Sequence, residues 1–371
     1  MSRVTLGDVA IERRETLKGT KADYRTVGLE HLIPSQITLT TWGNGSDTTF
    51  TKVFRKGQVL FGRRRAYLKK AAIAPFDGLC SGDITVIEAK ANLILPELLP
   101  FVIQNDDFFD YAVGKSAGSL SPRVKWEHLK KYEFKLPDMD EQRKLAELLW
   151  SMEEAKEAYQ ELLRQTDELV KARFIEMFGN PMTNDKHWPT KKMKDVAPSS
   201  PYAGEIIKNS NGYWLLNLDM VESNSGRIIE KVYVAEEEIG QSTTTFSSKY
   251  VLYSKLRPYL NKVVVPDDDG YATTELIPLL PNQQLLTQLY LAQLLRGDEF
   301  LSYISTQVSG TKMPRVTMNV FWDFDVMLPP LDLQEQFAAF VRQSDKSKSE
   351  LEQAMKALEI VYNKILSENL G

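Results

Sequence analysis

The sequence predicts an α+β chain in which two tandem α/β domains are separated by two long antiparallel coiled-coil helices, the whole forming a pseudo-twofold internal repeat. Three observations predict it. The chain matches itself at a fixed offset of 192 residues, each copy closes on Leu-Pro, and each Leu-Pro leads into a stretch of strong helix formers.

The repeat is plainest where "SLSPRV" at 119–124 returns as "TKMPRV" at 311–316, with Leu136-Pro137 and Leu328-Pro329 following at equal distance. Extended back without a gap, "VLFGRRRAYLKK" from Val59 falls on "VLYSKLRPYLNK" from Val251. Arg65 then meets Arg257, Tyr67 meets Tyr259, Lys70 meets Lys262, and Gly78, Phe108, Tyr111 and Gly118 meet Gly270, Phe300, Tyr303 and Gly310. Upstream, "TLGDVA" at 5–10 resembles "KMKDVA" at 192–197. A period this long lies outside the roughly 20–50 residues of solenoid repeats, so whole domains are duplicated.

The expected order is a domain at 1–137, a helix at 138–180, a domain at 181–330 and a helix at 331–371. The domains carry short β-rich runs ("QVLFG", "AAIAP", "DITVIEA", "YVLYS", "KVVVP") broken by Gly, Pro and Asp, with a helix at 285–295. The stretch after Pro137 has no Gly or Pro until Gly179-Asn180-Pro181 ends it. Its apolar or small residues Leu145, Leu148, Met152, Ala155, Tyr159 and Leu162 alternate three and four apart, the spacing of a coiled-coil seam. The C-terminal stretch repeats this with Phe337, Leu351, Leu358 and Ile365 at one heptad position and Val341, Met355 and Tyr362 at the other, weakened in the middle by Ser344 and Lys348. Each helix would span roughly 50–60 Å.

Composition limits the function. A hydrophobic fraction of 43% fits an ordinary globular protein, no run reaches the roughly 18 apolar residues of a membrane span, and a cytoplasmic location is expected. One cysteine, Cys80, excludes an internal disulfide framework, and His31, His128 and His187 lack metal-ligand spacing. The net charge of −4 is unevenly spread: 138–180 carries −5 and 332–371 carries −2, which leaves +3 on the rest. The basic residues concentrate in "RRRAYLKK" at 63–70 and "SKLRPYLNK" at 254–262, where Lys and Arg alternate with Tyr as in a surface that holds phosphates and stacks on bases.

Two segments resemble catalytic motifs. "GKS" at 114–116 lacks the Gly that a phosphate-binding loop needs five residues earlier, where Phe109 stands. "DITVIEAK" sets Asp83, Glu88 and Lys90 around a strand, the pattern of a magnesium-dependent nuclease, yet Glu88 and Lys90 fall on Leu280 and Asn282 in the second copy. A charged strand end accounts for them as well. A scaffold that pairs through its helices without touching DNA is a third reading.

Gly118, Ser119, Pro122, Arg123, Val124, Leu136, Pro137, Glu141 and Gln142 form one motif, and Gly310, Thr311, Pro314, Arg315, Val316, Leu328, Pro329, Pro330, Glu335 and Gln336 form the other. Together with "FGNP" at 178 and "HWP" at 187, this doubled pattern resembles the specificity subunit of Type I restriction-modification enzymes over essentially the whole chain. The second copy carries two extra residues between Leu-Pro and Glu-Gln. The resemblance implies a non-catalytic adaptor whose two target-recognition domains read the halves of a bipartite, asymmetric double-stranded DNA target, with the helices as spacer. It further implies two methyltransferase subunits docked on the chain and restriction/translocase subunits joined through the methyltransferase core. S-adenosylmethionine, ATP and magnesium would belong to those partners, with no cofactor on this chain. The residues expected at DNA are Arg63, Arg64, Arg65, Tyr67, Lys69, Lys70, Ser119 and Arg123 in the first domain. In the second they are Lys255, Arg257, Tyr259, Lys262, Thr311, Lys312 and Arg315.

Overall fold

A computed structural model describes residues 2–21, 23–46, 48–310 and 312–371. The chain is α+β, with two domains built to one plan and two 40-residue helices, Met139–Phe178 and Leu331–Leu370. It divides into two compact units, Met1–Gln160 with Glu352–Gly371, and Glu161–Leu351, so each long helix lends one half to each unit.

In the first domain, short continuous apolar runs form a four-stranded antiparallel sheet in the order Ala10–Arg13, Ile84–Ala89, Val59–Gly62, Ala71–Ile73. A second sheet runs Gly43–Asn44, Arg25–Val27, Gly78–Cys80, Lys52–Phe54, with its middle pair parallel. The core against the first sheet is aromatic: Phe61, Phe101, Phe108, Phe109 and Phe134 are buried. Fully burying one such ring is worth about 1.5–3 kcal/mol. Ser2–Thr5 pairs antiparallel with Glu133–Leu136, tying the start of the domain to the strand that feeds the helix.

The second domain repeats these parts. Val263–Val264, Val251–Ser254 and Leu276–Leu279 make one sheet, and Val232–Val234, Tyr213–Leu216, Gly270–Thr273 and Thr243–Phe246 the other, again with a parallel middle pair. Thr190–Lys192 pairs with Asp325–Met327 as the closing ribbon. The helix expected from 285 begins at Gln288, because the Thr287 hydroxyl accepts the Tyr290 N–H and caps it.

Each long helix is anchored by a buried glutamine. The Gln142 amide donates to the carbonyls of Leu93 (3.2 Å) and Pro137 (2.9 Å) and accepts the Leu95 N–H at 2.9 Å. Gln334 does the same with Leu285 (2.9 Å), Pro329 (2.8 Å) and Thr287 (2.8 Å). All these positions keep the offset of 192, so the repeat runs on into the helices without the two-residue shift read from Glu-Gln. Gln334, not Gln336, is the counterpart of Gln142; Gln336 is exposed.

The seam of the first helix also differs from the expected one. Leu149 is fully buried and Leu148 is 47% exposed, and Leu162 is likewise exposed. Gln142 and Leu145 fix the rotation of the helix, and Leu149 lies on their face, whereas Leu148 lies about 100° round the axis. On the second helix Met355 and Leu358 are half-buried, and the Phe337 and Val341 positions are buried as expected. In the second unit Asp167 meets Lys348 at 3.0 Å and Phe174 meets Phe337 with ring centres 5.5 Å apart, so the helices run antiparallel there. In the first unit Tyr362 packs on Phe101 and bonds to the buried Glu153 carboxyl. Among the described residues no helix is long and apolar enough to cross a membrane.

Candidate nucleic-acid interface

The basic segment of each domain is a tight turn leaving a core strand. After Val59–Gly62 the chain makes a short 3-10 turn, Ala66–Leu68, flanked by Arg65 (φ 54°) and Lys69 (φ 50°) in the left-handed region. After Val251–Ser254 it makes the turn Pro258–Leu260, flanked by Arg257 (φ 49°) and Asn261 (φ 48°) in the same region. Left-handed backbone at a residue with a side chain costs roughly 1–2 kcal/mol and persists only where neighbours dictate it. Here the neighbour is the Pro-Arg-Val motif. The Arg65 N–H donates to the Pro122 carbonyl at 2.8 Å and the Arg257 N–H to the Pro314 carbonyl at 2.7 Å. Val124 N–H bonds back to the Arg63 carbonyl and Val316 N–H to that of Lys255, at 3.0 and 2.9 Å.

An acid locks each motif to its turn. The Arg123 Nε donates to Asp83 at 2.7 Å, and Arg64 approaches the same carboxylate at 3.5 Å and donates to the Ser121 hydroxyl at 3.0 Å. The Arg315 Nη2 donates to Glu275 at 2.7 Å. The hydrogen bond from Arg123 holds the Asp83 carboxyl below the usual carboxylate range, and Arg315 does the same for Glu275. Asp83 and Glu275 stand 192 residues apart, a match that was visible in the sequence and whose meaning lay in the pairing.

The expected DNA residues therefore fall into groups. Arg65, Tyr67, Arg257 and Tyr259 are exposed at the tips, the tyrosines at 54% and 55%, and among the described residues the two guanidinium groups have no partner. Ser119 and Lys312 are also exposed, and Lys255 is half-buried at the base of its turn. Arg64, Arg123 and Arg315 are committed to Asp83 or Glu275, and Lys69 pairs with Asp106 at 2.6 Å. Lys70 and Lys262 are half-buried and each donates to a backbone carbonyl at 2.7 Å, that of Leu29 and of Leu218. Arg63 has its Nε buried without a hydrogen-bond partner. Thr311 lies outside the described residues.

Asp83, Glu88 and Lys90 do not form a nuclease centre. Glu88 accepts two bonds from Arg13, at 2.8 and 2.6 Å, and one from Gln58; Lys90 donates to the Gly7 and Asp8 carbonyls, both at 2.8 Å. Asp83 lies at the far end of the strand Ile84–Ala89, five residues or roughly 16 Å from Glu88. Each group is satisfied separately, and nothing gathers them on one reacting atom.

The family described as "Type I restriction modification DNA specificity domain" matches residues 2–164 and again 185–360, nearly the whole chain. The chain belongs to this family. The Type I restriction enzyme EcoDI specificity subunit of Escherichia coli is 26% identical over 123 residues, 33% of this chain and 27% of that protein, so the match spans about a quarter of its length. Two solved structures share the fold. One, from work on complex assembly and conformational transition of the type I R-M system, is 21% identical with a TM-score of 0.56 and covers 99% of this specificity-family chain and 97% of its own. The other, a Type-I restriction-modification system S subunit from M. genitalium, is 12% identical with a TM-score of 0.56, covering 100% and 96%.

Proposed function

We propose that the chain is the DNA-reading specificity subunit of a Type I restriction-modification assembly, each domain contacting one half of a bipartite double-stranded target. The observation that carries this is the basic turn built twice, strained into the same shape, with an uncommitted Arg and an exposed Tyr two residues on at its tip. An arginine free of internal partners and aimed at solvent is what a phosphate contact needs, and a flanking tyrosine adds a second donor or a stacking face. Lys70, Lys262, Arg123 and Arg315 serve the reading indirectly, by holding the turns in shape. No cofactor is assigned to this chain; S-adenosylmethionine, ATP and magnesium go with partner subunits.

Methyltransferase subunits, with restriction subunits joined through them, are the proposed protein partners. The first long helix supports this with Leu148, Leu162 and Leu169, spaced by multiples of seven and 46–55% exposed on a face its own seam does not use. The DNA reading is tested by measuring the salt dependence of DNA binding by the assembled complex. Arg65→Ala and Arg257→Ala should each lower the log-log slope by nearly one, as expected for one lost phosphate contact, and the double variant by nearly two. An unchanged slope in a folded double variant would remove the turns from the DNA.

A further inference from the structure

The basic turn is common to both domains, while an asymmetric target presents different bases to each. Shared residues are therefore suited to the backbone, which is the same everywhere, and base readers must sit where the two copies differ. One such position is Arg25 on the strand Arg25–Val27. Its carbonyl lies beside Gly78, where an added Cβ would meet it at 2.6 Å and the Phe54 ring at 2.5 Å. In the second domain a Cβ on Gly270 would meet the Trp214 carbonyl at 2.9 Å and the Phe246 ring at 3.1 Å. Arg25 and Trp214 thus occupy one place in the fold with different chemistry.

Arg25 is also held in an unusual way. Its guanidinium carbon lies 4.7 Å from the Trp42 ring centre and 4.6 Å from that of Phe76. The two rings, with centres 5.0 Å apart and planes inclined at 72°, form a corner that holds the group on one flank. The residue is exposed, and among the described residues no side chain or carbonyl accepts from its guanidinium. Most arginines of this domain, such as Arg13, Arg55 and Arg123, are spent on carboxylates. The rings restrict the side chain on that flank, and the N–H donors that face away from them are free to bind as a planar fork that needs little further ordering. A fork presented edge-on matches the paired O6 and N7 acceptors of guanine in the major groove. Trp214 in the second domain is buried under Lys231 and offers no such edge.

We propose that Arg25, fixed by Trp42 and Phe76, reads a guanine in the half-site of the first domain. The inference rests on the DNA-recognition reading above. It is tested by letting the full assembled complex select from a pool of random-sequence duplexes at fixed salt, with thermal melting as the folding control. Arg25→Ala should lose about tenfold to a hundredfold of preference for guanine at one position in one half-site. The other half-site and the log-log salt slope should not change. Arg25→Lys, which keeps the charge and loses the fork, should lose the same preference with overall affinity retained, and Trp42→Leu should lose part of it. Uniform weakening on all sequences with a slope lowered by about one would make Arg25 a phosphate clamp and overturn the proposal. So would unchanged selection with a lowered melting temperature, which would make the stack purely structural. A parent complex with no sequence preference at all would instead bring down the recognition reading, and this inference with it.

Discussion

Asp83 lies beneath the first basic turn, with Arg123 and Arg64 directed at its carboxylate and its backbone carbonyl taking the Arg63 N–H at 3.0 Å. Its side chain is 19% exposed and that of Arg123 is 45% exposed, so part of the attraction is screened by solvent. Because its carboxyl is held low chiefly by the hydrogen bond from Arg123, the pair stabilises the folded chain above the ordinary carboxylate pKa of about 3.9. That contribution is lost as pH falls through the still lower folded-state value. Asp83→Asn should therefore cost about 1–2 kcal/mol at neutral pH, with the gap in melting temperature closing as the pH is lowered below about 4. A gap that stays constant with pH would mean that the ion pair is not its source. Sequence composition showed where the basic residues gather but not which are already used. Lys70 and Lys69 are adjacent in the chain, yet one is spent on a carbonyl and the other on Asp106. The Arg25 stack draws on residues 25, 42 and 76, which no periodicity connects.

At the scale of the element, the long helices were legible because a run of good helix formers without Gly or Pro has few alternatives. Their rotation was less so. Leu148 and Leu149 are both apolar, and alternate three-four spacing accepts either; the choice is made by Gln142, whose hydrogen bonds close three backbone groups of the preceding domain. Removing that amide leaves one buried carbonyl, one part-buried carbonyl and one N–H short of a partner, and Gln142→Ala or Gln334→Ala should each cost about 2–4 kcal/mol in denaturant unfolding. Gln336→Ala, on the exposed face, should stay within about 0.5 kcal/mol. Equal losses at Gln334 and Gln336 would restore the Glu-Gln alignment. The seam is checked in the same way: Leu149→Ala should cost about 2–5 kcal/mol and Leu148→Ala less than about 1 kcal/mol, with the latter acting instead on partner docking.

For the molecule as a whole, the duplication was the most legible feature, since identity at one offset survives even where the half-domains have diverged. The architecture gives it a physical meaning. Each aromatic core takes in the far end of the other copy's helix, Leu366 and Leu370 in the first and Val170 and Phe174 in the second. Each domain nevertheless has its own clamp of turn, Pro-Arg-Val motif and acid, which borrows no residue from the other copy. Base contacts made within one such domain are then independent of the other, and recognition should be modular. Replacing residues 1–137 by the matching domain of a family member with another target should change one half of the methylated sequence when the host's modified bases are mapped. The retained second domain should keep its half-site, and the unaltered helices should keep the gap. The contacts of Gln142 in Leu93, Leu95 and Pro137 cross the exchange point, so the incoming domain must supply equivalent carbonyls and N–H; a chimera that melts early would report that mismatch rather than lost modularity. A well-folded chimera in which both half-sites changed together would show that the domains do not read independently.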